Sequence, residues 1–158
     1  MVYMKEIVKR LIKLNKTIST MESCTGGFLA NEITNIEGSS DVFKYSAVTY
    51  SNEYKIKMGV NKKVIDKYTV YSKETANEMS KNISDFTSSN YGVGITGQIN
   101  RIDKRNIVNN NNKIYISIYD RDNNKFYNKE VVAIKDNRAN NKKYIIEIIK
   151  KELLKLIK

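Results

Sequence analysis

Thr17-Ile18-Ser19-Thr20-Met21-Glu22-Ser23-Cys24-Thr25-Gly26-Gly27-Phe28-Leu29 is the stretch whose reading decides the fold. Its first part is short and rich in β-branched residues, which suit a pleated, half-buried surface, so a strand is expected from Thr17 to Met21. The strand stops at Glu22-Ser23, where small residues and glycines take over. A helix is expected from about Thr25 to Asn35, with Phe28, Leu29 and Ile33 on one side. This order sets the unpaired N–H groups of a helix start around Ser23, where they favour an anion. They could hold a phosphate or stabilise the oxyanion of a tetrahedral intermediate. The plainer reading is that Ser23 or Thr25 caps the helix and the glycines turn the chain, and on spacing alone capping is the commoner outcome.

Outward from this segment, Tyr3 to Leu14 spaces Ile7, Val8, Leu11, Ile12 and Leu14 as an amphipathic helix. Phe43 to Tyr50 alternates as a strand, and Ser51-Asn52-Glu53 starts a short helix that ends before Gly59. Ser72-Lys73-Glu74-Thr75 opens a longer helix with Ala76, Met79, Ile83 and Phe86 at helical steps. Strands are expected at Tyr91 to Thr96, Lys113 to Asp120 and Lys125 to Ile134, the last two joined by a hairpin at Asp122-Asn123-Asn124. A helix from Asn137 to Ile157 closes the chain. Strands alternating with helices argue for a layered α/β domain with a mixed sheet, read as one unit over residues 1–158. The polar stretch between Gly97 and Lys113 is expected to be a mobile loop.

Composition closes several chemistries. The 158 residues contain no histidine and one cysteine, Cys24. A Ser-His-Asp triad, a His-ligated zinc, an internal disulfide and a Cys-x-x-Cys pair are all excluded, and a reducing cytoplasm fits. No apolar run has signal-peptide or membrane-spanning length. The net charge of +11 comes from lysines spread over every segment. Without a stripe or a motif it does not call for a nucleic-acid partner.

With histidine absent, a hydroxyl nucleophile needs a lysine, a tyrosine or a carboxylate to take its proton, and lysine leads. Val48-Thr49-Tyr50-Ser51-Asn52-Glu53-Tyr54-Lys55 sets Tyr50 at a strand end and Lys55 about one turn into the next helix. Strand ends on one edge of an α/β sheet share a crevice, so both can approach Ser23. Taken singly, Lys55 reads as a solvated lysine and Tyr50 as a packing residue. Gly92-Val93-Gly94-Ile95-Thr96-Gly97 suits close approach of a flat ring or sugar to the main chain, although it lacks a full dinucleotide fingerprint. Cys24, with no histidine or second cysteine, reads as a packed, inert thiol.

Together, Glu22-Ser23-Cys24-Thr25-Gly26-Gly27, Gly38-Ser39-Ser40-x-x-Phe43 and Val48-Thr49-Tyr50-Ser51-Asn52-Glu53-x-Lys55 closely resemble the C-terminal domain of the competence/damage-inducible protein CinA, a domain that also occurs alone as nicotinamide-nucleotide amidase. The similarity continues through Val70-Tyr71-Ser72-x-Glu74 and Thr96-Gly97 to Asn137-Arg138. What the resemblance implies is a three-layer α/β/α fold with a mixed, mostly parallel sheet. It also implies hydrolysis of the carboxamide of nicotinamide mononucleotide to nicotinate mononucleotide and ammonia, without metal or cofactor. Ser23 would be the nucleophile, with Lys55 and Tyr50 accepting and returning its proton. Thr25, Gly26, Gly27, Ser40, Asn52, Thr96, Gly97 and Arg138 would contact the small-molecule nucleotide, and a homo-oligomer is expected. Two segments depart from the family. Gln98-Ile99-Asn100-Arg101 replaces a Gly-Pro-x-Gly-Gly loop, and Asn137-Arg138-Ala139-Asn140-Asn141-Lys142 keeps only the first arginine of Asp-Arg-x-x-x-Arg. The alternative function is therefore a weakened or inactive nucleotide-binding or regulatory module.

Overall fold

β1 (Ile18–Glu22) is buried along its whole length. The computed structural model describes residues 2–100 and 112–158, so most of the expected polar loop after Gly97 lies outside the described residues. β1 pairs in parallel with β2 (Phe43–Val48) on one side and β3 (Tyr91–Gly97) on the other. β3 continues antiparallel into β4 (Lys113–Asp120), and β4 into β5 (Lys125–Val132), giving the order β2-β1-β3-β4-β5. Four strands thus point one way and β4 the other, a mixed sheet that is mostly parallel in direction.

Helices cover both faces. α1 (Val2–Leu14) buries Met4, Ile7, Val8 and Leu11, one stripe at steps of three and four, each worth roughly 1.5–3 kcal/mol on full burial. Ile12 and Leu14, expected on that stripe, are exposed because the stripe turns away from them. The helix ends where Asn15 adopts a left-handed φ of 54° and Lys16 N–H bonds the Leu11 carbonyl. α1 packs with α2 (Phe28–Thr34) and α6 (Arg138–Leu156) over Ile18, Val93, Ile95, Ile114, Ile116 and Ile118. Opposite, α4 (Lys62–Tyr68) and α5 (Lys73–Thr87) enclose Met21, Ile65, Met79 and Ile83. The result is three layers, α/β/α.

α4 was not foreseen, because seven residues with four charges show little apolar period; Asn61 caps it by accepting from Lys63 N–H at 2.9 Å. Phe86, expected in the core, is 67% exposed and its ring meets Tyr45 at 5.4 Å. Gly92 and Gly94 also need a new explanation. A Cβ on Gly92 would strike the Ser80 carbonyl of α5, and one on Gly94 would strike the Ala76 carbonyl and stand 2.7 Å from Ser80 N. These glycines admit a helix, not a ligand. Among the described residues no helix is long and apolar enough to cross a membrane.

Candidate active site

Thr49, Ser23 and Gln98 are each the first residue past three neighbouring parallel strands, β2, β1 and β3. The chain leaves β1 toward α2 on one face and leaves β2 toward α3 (Asn52–Lys57) and α5 on the other. Adjacent strand ends whose connections part in this way open a crevice between them.

Local rules fill that crevice. Ser51, in extended conformation, caps α3 by accepting from Tyr54 N–H at 3.2 Å. The turn that follows swings Lys55 inward until its side chain is 1% exposed. Its Nζ donates to the Thr49 carbonyl at 2.7 Å and to Ser23 Oγ at 2.9 Å. Ser23 is itself buried, and its N–H is fixed on the Ile95 carbonyl at 2.9 Å. A buried hydroxyl and a lysine amine at hydrogen-bond distance are an arrangement in which hydroxyl chemistry is possible.

Gly26 and Gly27 take left-handed φ of 62° and 95°, which delays α2 to Phe28, three residues past the expected start. The anion expected at that helix start is the chain's own. The fully buried Glu22 carboxylate accepts from Thr25 Oγ1 at 2.6 Å and from Leu29 and Ala30 N–H at 3.0 Å each. Gly26 and Phe28 N–H are taken by the Ser23 and Thr25 carbonyls. Lys142 Nζ approaches from α6, 3.4 Å from where a Cβ on Gly26 would stand.

Thr96 donates to the Val70 carbonyl at 2.7 Å, and Gly97 lies so close to β4 that a Cβ would stand 2.6 Å from Ile114 Cα. Both hold the β3 end beside Ser23. Tyr50 is 62% exposed, and its hydroxyl accepts from Arg138 at 2.9 Å. Arg138 also donates to the Ile99 carbonyl, and Asn141 Nδ2 donates to Asn100 Oδ1 at 2.6 Å, so the first turns of α6 clamp the chain leaving β3. Asn52 is the half-buried first residue of α3.

Ser40 is not brought to this group. It sits exposed in the 3-10 turn Ser39–Asp41, before β2 begins. Because Ile18 pairs with Phe43 and Glu22 with Val48, that turn is at the opposite strand ends from Ser23, roughly 15 Å away at the usual rise per residue. Burial pushes the Cys24 thiol up to about 12, which leaves it protonated and unsuited to attack.

Two groups went unseen in the sequence. The Thr49 hydroxyl and Gln98 Nε2 are the buried side-chain polar atoms without a hydrogen-bond partner among the described residues. An unpartnered buried group costs about 1–3 kcal/mol, so their place beside Ser23 matters. Their positions just past strand ends were the available signal.

The model of the CinA C-terminal domain matches residues 2–156. A competence-damage inducible protein of Clostridium botulinum (strain Langeland) is 48% identical over 92 residues, 58% of this chain and 22% of that protein. One from Thermoanaerobacter pseudethanolicus is 44% identical over 96 residues, 60% of this chain and 23% of that protein. The chain thus spans less than a quarter of these relatives' length. Among solved structures, the competence/damage inducible protein CihA from Agrobacterium tumefaciens superposes with a TM-score of 0.84 at 26% identity, covering 99% of this chain and 96% of that one. A CinA superfamily protein from Escherichia coli gives 0.87 at 19% identity over 98% and 88%, a likeness of fold. With Ser23 and Lys55 paired where those motifs fall, and the family model matched from residue 2 to residue 156, the chain belongs to the CinA C-terminal domain family.

Proposed function

We propose that this chain is an amidase that hydrolyses the carboxamide of nicotinamide mononucleotide, with Ser23 as nucleophile. The observation that carries the reading is the buried contact of 2.9 Å between Lys55 Nζ and Ser23 Oγ. Removing a lysine from water favours the neutral amine, the form that can take the serine proton. Ser23 Oγ then bonds the amide carbon, and the carbonyl electrons move to oxygen. On collapse the C–N bond breaks and ammonia leaves with the proton that Lys55 held. Water repeats the sequence on the acyl-serine and releases nicotinate mononucleotide. Arg138, Tyr50 and Lys142 at the crevice mouth suit an anionic nucleotide, the arginine as a planar donor and the lysine as a point charge.

Ammonia release from nicotinamide mononucleotide tests this reading. Ser23→Ala and Lys55→Ala should each lower kcat by at least ~10³-fold, as loss of a nucleophile or its base does in acyl transfer. A parent that yields no ammonia, or a Ser23→Ala variant equal to it, would overturn the assignment.

A second reading is a nucleotide-binding module without turnover. It is favoured by Arg138, whose guanidinium already serves the Ile99 carbonyl and the Tyr50 hydroxyl. Calorimetric binding of the mononucleotide with zero turnover would select it.

A further inference from the structure

The two orphaned polar atoms stand on the strand ends that flank Ser23, with Gln98 Nε2 past β3 and the Thr49 hydroxyl past β2. Folded proteins leave few such groups, and two at one sheet edge mark where a bound molecule supplies the missing partners. The Thr49 carbonyl is already used by Lys55. Gln98 is 6% exposed and offers a free N–H₂ donor.

The face on which Gln98 lies follows from alternation along β3. Gly92 and Gly94 abut α5, and Thr96 bonds Val70, just ahead of α5. Gln98 continues that parity, whereas Ile99 joins the core under α6. Ser23 continues the parity of Ser19, which bonds Ile83 of α5, and of Met21. Both side chains therefore lie on the α5 side of their strand ends. Since Glu22 pairs with Ile95, Ser23 is level with Thr96. Gln98 then lies roughly 7 Å further along and about 5 Å across, a span that a glutamine side chain and an amide carbonyl can bridge.

Several N–H groups at the start of α2 are already engaged: those of Leu29 and Ala30 serve Glu22, and those of Gly26 and Phe28 serve the turn. Resting on the amidase reading, we propose that the Gln98 carboxamide donates its N–H to the substrate carbonyl oxygen and stabilises the oxyanion. That charge forms as Ser23 Oγ bonds the carbon and the carbonyl electron pair moves to oxygen. It returns to the C=O bond as the C–N bond breaks and ammonia departs with the proton that Lys55 carried. The bond to Gln98 strengthens only as charge develops, so its effect falls on kcat.

Gln98→Met keeps the side chain's length and removes the donor; Gln98→Glu replaces the donor with an acceptor. With nicotinamide mononucleotide as substrate, Gln98→Met should lower kcat by ~10²–10³-fold and change KM less than about threefold. Its thermal midpoint should equal or exceed the parent's, because the change removes an orphaned donor. Gln98→Glu should fall below Gln98→Met in kcat. The proposal is overturned if Gln98→Met keeps kcat within about threefold, if Gln98→Glu outperforms it, or if kcat falls only together with the thermal midpoint, the sign of a structural role. The two failures separate cleanly. A parent without Ser23-dependent ammonia release sinks the amidase reading and this one with it. A parent with such release and an unaffected Gln98→Met sinks this one alone.

Discussion

The Arg138 guanidinium donates to the Tyr50 hydroxyl at 2.9 Å, tying the first residue of α6 to the chain leaving β2. The bond spans the mouth of the crevice, while Ser23 Oγ accepts a hydrogen bond from Lys55. If the chain is an amidase, we propose that Tyr50 serves substrate binding. A bond to a charged group contributes about 1.5–3 kcal/mol when shielded, and less here because Tyr50 is mostly exposed. Tyr50→Phe should raise KM about threefold to tenfold and leave kcat within about tenfold, as for an interaction made equally in ground and transition states. Steady-state kinetics checks this; a hundredfold loss of kcat at constant KM would return the hydroxyl to proton transfer.

Cys24 follows Ser23 in sequence, and its thiol is buried. Its thiol, pushed up to about 12 chiefly by burial, stays protonated through the neutral range. Iodoacetamide at pH 8 should label the native protein slowly and the denatured protein fast, and Cys24→Ala should cost about 1 kcal/mol through a small cavity while keeping turnover. Rapid native labelling, or loss of turnover on Cys24→Ala, would contradict this account.

The layered fold and the Ser23 turn were legible because they rest on local signals. Those signals are the β-branched run before Ser23, the caps at Ser51 and Ser72, and the stripe of α1. Lys55 was legible as a candidate, but its burial depends on how α3 packs over the ends of β1 and β2, which no local pattern encodes. The places of Glu22, Gln98 and Gly94 were hidden for a related reason. Glu22 and Gly94 meet backbone atoms, the Leu29 N–H and the Ala76 carbonyl, and Gln98 is marked only by a buried Nε2 without a hydrogen-bond partner among the described residues. Side-chain type shows what a residue can do; only tertiary placement shows what it meets.

Gly94 gives the sharpest test of that placement. A Cβ there would overlap the Ala76 carbonyl and crowd Ser80 N at 2.7 Å, and neither backbone group can rotate away. Gly94→Ala should cost about 3 kcal/mol or more, since overpacking against backbone finds little relief. For a chain of this length that lowers the thermal midpoint by roughly 6–12 °C. Gly26→Ala meets only the mobile end of Lys142 and should cost about 1–2 kcal/mol from its positive φ alone. Equal midpoints for the two variants would refute the close helix–sheet approach.

Lys150 makes the α2–α6 contact sensitive to alkaline pH. Its ammonium is 1% exposed and donates to Glu32 and Glu147 at 2.7 Å each. Burial acts to lower its proton affinity, but the hydrogen bonds and charges of Glu147 and Glu32 prevail, holding it above its ordinary value of 10.5. Folding therefore strengthens proton binding, so the contribution is complete below the unfolded value and is lost as pH rises through the folded one. Breaking a buried pair costs about 3–5 kcal/mol, and the partly exposed glutamates reduce this to about 2 kcal/mol for Lys150→Met at pH 7. Denaturant midpoints at pH 7 to 11 should show a gap between parent and variant that is constant up to about pH 10 and narrows above it, near where an unfolded lysine titrates. A gap that stays constant to pH 11, or widens, would show that the lysine contributes through its stem packing alone.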